Sequence, residues 1–258
     1  MVLHARSDAD RILGETMKLS IVIPILNSHE IVRRQCLHFQ KMNLDPEVVE
    51  LIFVDDGSNP PLKTLEIAKL PNLTIIETND TRPWTWALAR NAGARVAQGE
   101  YLLMADLDYI IPKDAIESAL ELKEDRMNFR REFGVIDSEG NTTQDIEVLR
   151  LYGLTEKRIE DRGVRVSAHT NEFVIRKSVF FDLGCYREDL VRKAYPQGED
   201  RCFHGVWIRA MARGEVNRTF YRPLIYMFPN GRFCGDIDHN PFGLFHATSR
   251  KKVASINA

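Results

Sequence analysis

The chain has 258 residues, 44% of them hydrophobic and 28% charged, which is enough apolar material for one large α/β domain or one domain with a subdomain. Its formal net charge of -2 gives no global basic field, so recruitment of nucleic acid or of an anionic membrane is not expected. The longest apolar runs, such as Leu19 to Leu26, are far short of the roughly 20 residues of a membrane helix, so no integral membrane segment is expected.

In chain order, residues 1–16 mix charged and apolar residues without the apolar centre of a signal peptide, and are expected to be a flexible arm. Leu19-Ser-Ile-Val-Ile-Pro24 predicts a buried parallel strand, followed by a helix from about Ser28 to Met42. Val48 to Val54 predicts the next strand, ending at Asp55-Asp56-Gly57-Ser58, with a short helix after Pro60-Pro61. Leu73 to Glu77 reads as a third strand and Trp84 to Ala97 as a helix ending at Gly99. Tyr101 to Ala105 reads as a fourth strand ending at Asp106-Leu107-Asp108, and Pro112 opens a helix through about Lys123. This alternation predicts a doubly wound, mostly parallel sheet flanked by helices.

After Glu124 the pattern loosens. Met127 to Val135 is mixed, and the charged stretch Thr155 to Arg165 reads as a surface helix or loop. A strand is expected from Glu172 to Ile175, a helix from Lys177 to Leu183, a helix from Glu199 to Arg213 stopped by Gly214, and a strand from Thr219 to Met227. The pattern divides the chain into 1–16 as arm, an alternating half over 17–124, and a looser half over 125–258 with a mobile tail over about Asn230 to Arg250. Cys36, Cys185, Cys202 and Cys234 lack C-x-x-C spacing, which suits reduced thiols in a cytoplasmic protein.

Two acidic clusters, Asp55-Asp56 and Asp106-x-Asp108, stand at the carboxyl ends of predicted parallel strands, where open α/β sheets bind ligands. Carboxylates there are costly unless a cation or polar partner meets them. Two of them one residue apart suit Mg²⁺ or Mn²⁺, which take their other ligands from water and substrate phosphates. Turn chemistry alone also produces Asp after strands, so the motif acquires weight only from its company.

That company is Ile-Val-Ile-Pro-Ile-Leu-Asn27, Val-Asp-Asp-Gly-Ser58, Ala-Arg-Asn-Ala-Gly93, Gly-Glu-Tyr-Leu-Leu-Met-Ala-Asp-Leu-Asp108 and Gly-Glu-Asp200, in that order. With these motifs the chain resembles glycosyltransferase family 2 from about Leu19 to Gly214. The resemblance implies a GT-A fold, with 17–124 as the nucleotide-sugar-binding half and 125–258 as the acceptor-binding and catalytic-base half, and an inverting transfer of sugar from a nucleotide-sugar, UDP-linked by expectation, to an acceptor hydroxyl. It implies that Pro24, Asn27, Asp55 and Asp56 line the nucleotide pocket, that Arg90 and Asn91 lie near the donor, and that Asp106 faces ribose or sugar. Asp108, with Asp106 and a late histidine, His246, would ligate Mn²⁺ or Mg²⁺; His239 competes for that place.

Asp200 would be the general base that takes the acceptor proton; helix-dipole complementarity is the other reading of acids at that position. For Arg90 the alternative is a surface helical arginine, and for Asn91-Ala-Gly93 it is close helix packing against the sheet. Leu26, Tyr109 and Arg201 depart from residues common in the resembling family. No Gln-x-x-Arg-Trp of processive synthases is present. The acceptor, whether a glycan, a lipid-linked sugar or a protein, is not specified by the residues. The competing functions are a nucleotide-sugar-binding protein without catalysis and a D-x-D phosphatase.

Overall fold

The computed structural model describes residues 17–66, 70–80, 82, 85–167, 170–189, 199–217 and 220–228. The predicted arm, His239, His246 and the predicted mobile tail lie outside the described residues.

The first half alternates as the pattern predicts. β1 (Leu19–Ile25), α1 (His29–Met42), β2 (Val49–Asp55) and β3 (Leu73–Glu77) are followed by α2 (Trp86–Val96) and β4 (Tyr101–Met104). Then come β5 (Tyr109–Ile110), α3 (Lys113–Leu120), β6 (Arg126–Phe133), β7 (Val135–Ile136) and β8 (Thr142–Thr143). α4 (Ile146–Leu151), α5 (Glu156–Arg162), β9 (Arg165–Val166), β10 (Phe173–Arg176), α6 (Lys177–Asp182), α7 (Glu199–Ala212) and β11 (Phe220–Met227) complete the order. The segment after Pro60-Pro61 is a single 3-10 turn, Leu62–Thr64.

The main sheet runs β3-β2-β1-β4-β10-β6-β11-β5, with β9 beside β6. Its left half is parallel: β1 pairs with β2 and β4, and β2 with β3. Beyond β4 the sheet is mixed. β10 is antiparallel to both β4 and β6, whereas β11 is parallel to β6 and antiparallel to β5. The expected parallel sheet thus holds for its β3-β2-β1-β4 half and gains antiparallel strands on the other.

β1 is buried along its whole length because helices cover both of its faces. One face carries Leu19, Ile21, Ile23 and Ile25 against Ile31, Val32, Cys36 and Phe39 of α1, and extends to Ile116 of α3 and Phe129 of β6. The opposite face packs Val22, Val54, Leu102 and Met104 against Ala87, Ala89 and Ala94 of α2, Phe180 of α6, and Phe203 and Trp207 of α7. Pro24 is tolerated inside β1 because the ladder to β4 ends at Val22, so no N–H is needed on that side. α7 ends before Gly214, whose φ of +72° takes the chain out of the helix in the left-handed region.

Candidate active site

The loops at the carboxyl ends of β1, β2, β3 and β4 meet at one edge of the sheet, and each is built by its own acids and amides. Asp55 is buried at the end of β2 and organises the loop that follows. Its Oδ1 accepts the N–H of Ser58 at 2.7 Å, and its Oδ2 accepts the N–H of Leu62 at 2.7 Å. Asn27, in the left-handed region at φ 51°, stitches the β1 loop to this one. Its N–H donates to Ser58 Oγ at 3.0 Å and its Oδ1 accepts from the N–H of Asn59 at 2.7 Å. Asp56 accepts from the hydroxyls of Thr78, at 2.9 Å, and Thr85, at 2.5 Å, which joins the ends of β2 and β3 to the start of α2. Pro24 is buried in β1 opposite Val54. Aspartates that looked available for a ligand therefore first satisfy loop N–H and hydroxyl donors that burial would otherwise leave unpaired.

α2 brings Arg90 to the same edge. It is not a surface arginine: only 3% of it is exposed, between the rings of Trp86 and Tyr186, 5.7 and 5.4 Å from their centroids. Its Nη2 donates to Asp106, and its Nη1 lies 3.8 Å from Glu199. Burial works against the Arg90 charge, but Asp106, Tyr186 and Glu199 more than reverse that effect and hold the guanidinium ionised. Asn91 is also buried. It donates to the Tyr186 carbonyl at 2.8 Å and to Glu188 at 2.9 Å, and its Oδ1 accepts the Tyr186 N–H, so it anchors the segment before α7. Gly93 lies so close to the sheet that a Cβ would stand 2.4 Å from Val22 Cγ1.

Asp106 and Asp108 follow β4, and Asp108 is half-buried. Burial, and then the charge of Asp106, push the Asp108 carboxyl up to about 7. Glu172, just before β10, joins them and is 1% exposed. Burial, and then Asp106, raise its carboxyl well above the usual range, while Arg131 of β6 at 3.6 Å pulls the other way. Arg131 also donates to the Tyr109 hydroxyl and to the Ser167 carbonyl. Sequence reasoning missed Glu172, Glu199 and Arg131. Their only sequence signal was charge inside segments read as strand or helix start, and their meeting depends on β10 and β6 pairing across the fold.

Asp200 stands in the first turn of α7, beside Glu199. The Thr170 hydroxyl donates to its Oδ2 at 3.4 Å, and Arg126 Nη2 donates to the Thr170 carbonyl at 3.3 Å. Arg126 is fully buried under α7, 4.0 Å from the Phe173 ring centroid and 5.2 Å from that of Trp207. Asp106, Arg90, Glu199 and the α7 start that bears Asp200 are thereby linked in one connected set.

Asp106, Asp108 and Glu172 repel one another electrostatically, and Arg90 and Arg131 offset part of that charge. Hard carboxylate oxygens fit Mg²⁺ or Mn²⁺. Among the described residues no three His, Cys, Asp or Glu side chains converge to hold a metal alone. The carboxylates of Asp106 and Asp108 therefore fit an ion that takes its remaining ligands from substrate and water.

Comparison with known proteins gives a consistent result. The family described as Glycosyl transferase family 2 matches residues 20–181. An uncharacterized glycosyltransferase of Haemophilus influenzae is 30% identical over 190 residues, covering 66% of this chain and 72% of that protein. A poly(ribitol-phosphate) beta-glucosyltransferase of Bacillus spizizenii is 33% identical over 107 residues, 39% of this chain and only 16% of that protein. The crystal structure of S. aureus TarS 1-349 in complex with UDP superposes with a TM-score of 0.53 at 17% identity, covering 83% of this chain and 61% of that one. The shared architecture is the GT-A arrangement of a mixed sheet between helices.

Proposed function

This chain belongs to glycosyl transferase family 2, and from that premise we propose that it transfers a sugar from a UDP-sugar to an acceptor hydroxyl with inversion, assisted by Mn²⁺ or Mg²⁺. The observation that carries the reading is the Arg90 linkage, which joins Asp106 of the D-x-D to Glu199 at the start of the Asp200 helix. The UDP complex of the TarS fragment supports UDP as the nucleotide.

In this reading Pro24, Asn27, Asp55 and Asp56 frame the nucleotide pocket, and Asn91 holds Tyr186 and Glu188 in place. Arg90 orients Asp106 toward the ribose or sugar. Asp108, with Asp106, holds the ion, and His246 is the proposed late ligand. When bound, the divalent cation neutralises charge on the leaving diphosphate. Asp200 receives the acceptor proton, with the Thr170 hydroxyl on its Oδ2 and Oδ1 available to take it. The freed alkoxide attacks the anomeric carbon opposite the leaving UDP, forming one bond as the other breaks and inverting the centre. Arg131, paired with Glu172, holds the hydroxyl of Tyr109, the residue after Asp108 in sequence.

A thermal-shift panel of UDP, GDP, CDP and dTDP, each with Mn²⁺ or with chelator, tests this reading. At a hundredfold excess over its dissociation constant a native-state ligand adds about 2.7 kcal/mol of stability. A shift with UDP that needs metal and disappears in Asp108→Ala is expected. Silence from every nucleotide would remove the donor site as proposed.

A further inference from the structure

Beyond the donor cluster, the far end of β6 carries a second cleft. Side chains alternate along a strand, so Arg126, Asn128, Arg130 and Glu132 share one face. The first two are buried, but β10 stops pairing with β6 at Phe173 opposite Asn128. Past that point Arg130 is exposed. Strand register then sets Leu224 of β11 beside Arg130 and Arg165 of β9 beside Glu132. Together with Phe129, Arg131 and Val166 these residues line a cavity of about 490 Å³, a volume within the usual range for small-ligand sites.

The charge of this cleft is local, since the chain as a whole carries -2. Arg130 and Arg165 have no ion-pair partner among the described residues. The one acid in the lining, Glu132, already accepts from Gln144 Nε2 at 2.8 Å. Two exposed guanidiniums, with Leu224 in register beside Arg130, match a planar or tetrahedral oxyanion, which arginine binds through paired N–H donors.

The cleft is also tied to the reacting centre. Thr170, the residue that donates to Asp200, follows Arg165 by five residues, a separation of at most roughly 17 Å. Arg131 lines the cleft while its guanidinium reaches Tyr109 and Glu172 beside the D-x-D.

We infer that this cleft holds an oxyanion of the acceptor, a phosphodiester or a carboxylate, a short distance from the hydroxyl that Asp200 deprotonates. This assignment rests on the transferase reading above and names the acceptor's chemical class. It makes Arg130 and Arg165 specificity-determining contacts, with no role in donor binding.

The test compares the wild type with Arg130→Gln/Arg165→Gln, both exposed positions whose replacement leaves the core intact. Calorimetric titrations use three oligomers of matched length: a glycerol phosphodiester, an oligogalacturonate and a neutral maltooligosaccharide. UDP with Mn²⁺ is followed in parallel by thermal shift. At least one anionic oligomer should bind the wild type, bind about tenfold or more weakly to the double variant, and weaken with salt, since screening grows with ionic strength. The preference between the two anions identifies the source of the charge. The UDP shift should be equal in both proteins. Equal binding of the neutral oligomer, unchanged anion affinity in the double variant, or no anion binding would overturn the assignment. An absent UDP shift counts against the donor reading alone, because the oligomers are titrated without nucleotide.

Discussion

Asp106 and Glu199 are held by different nitrogens of one guanidinium, that of Arg90. The loop after β4 and the first residue of α7 are far apart in sequence, and this shared arginine sets their spacing. Removing one member of a buried ionic group leaves the others uncompensated. Arg90→Ala should therefore cost about 3–5 kcal/mol of stability and weaken metal-dependent nucleotide binding. Arg90→Lys keeps the charge but not the two-nitrogen span, so it should recover only part of the loss. Urea unfolding and nucleotide thermal shift measure both. A stability within 0.5 kcal/mol of wild type in Arg90→Ala, roughly the size of an ordinary surface substitution, would refute the linking role.

Asp200→Asn keeps the shape of the side chain and removes its capacity to accept a proton. Sugar transfer should fall about 10²- to 10⁴-fold, the usual contribution of a general base, while the thermal shift given by UDP and Mn²⁺ is retained. Thr170→Val removes one hydrogen bond to the same carboxylate and should cost less. If Asp200→Asn transferred at the wild-type rate, another group would have to be the base.

Gly93 tests the packing of α2 on the sheet. A Cβ there would stand 2.4 Å from Val22 Cγ1 and 2.9 Å from Val54 Cγ2. Gly93→Ala should destabilise by about 1–3 kcal/mol despite the better helix propensity of alanine. Denaturant midpoints read the effect, and a stabilised variant would show that the helix shifts freely.

His38 gives a pH dependence with a definite sign. Burial is the main cause that lowers its pKa below the ordinary 6.5, against hydrogen bonds to Ile111 and Gly140 that raise it. Its Nε2 meets the Ile111 carbonyl at 3.0 Å, so the neutral ring donates there. The unfolded chain takes up the proton first as pH falls. Stability is therefore full above 6.5 and is lost as pH drops from there through the lower folded value. Urea midpoints measured between pH 7.5 and 5 should fall more steeply in the wild type than in His38→Gln. Parallel profiles would assign the acid sensitivity elsewhere.

The parallel half of the fold was legible because its signals are local. Apolar β-branched runs such as Leu19–Ile25 mark strands buried on both faces, and β3 is found at the predicted bounds, Leu73–Glu77. α7 ends within a residue of its expected limit because Gly214 supplies a positive φ. The right half was harder to read. β6 looked mixed because Arg126 and Arg131 are buried, and arginine enters a strand interior only where distant aromatics and carboxylates receive it. For the same reason Glu172 escaped notice: its neighbours Asp106 and Asp108, from the loop after β4, and Arg131, from β6, arrive from two other segments. The aspartates after β2 and β4 were visible as a cluster, but the loop bonds of Asp55 and Asp56 were not, since hydrogen-bond partners cannot be counted from spacing.

β11 closes the sheet against β5, and the Phe228 N–H donates to the Asp108 carbonyl at 3.3 Å. The D-x-D is thus clamped by the last described strand of the chain. During translation β1 to β4 leave the ribosome well before Tyr226 and Met227 exist, so the nascent chain carries its acids without their clamp. Competence should switch on late and abruptly in synthesis. A chain arrested before β11 would fold its parallel half around a D-x-D loop still lacking its clamp.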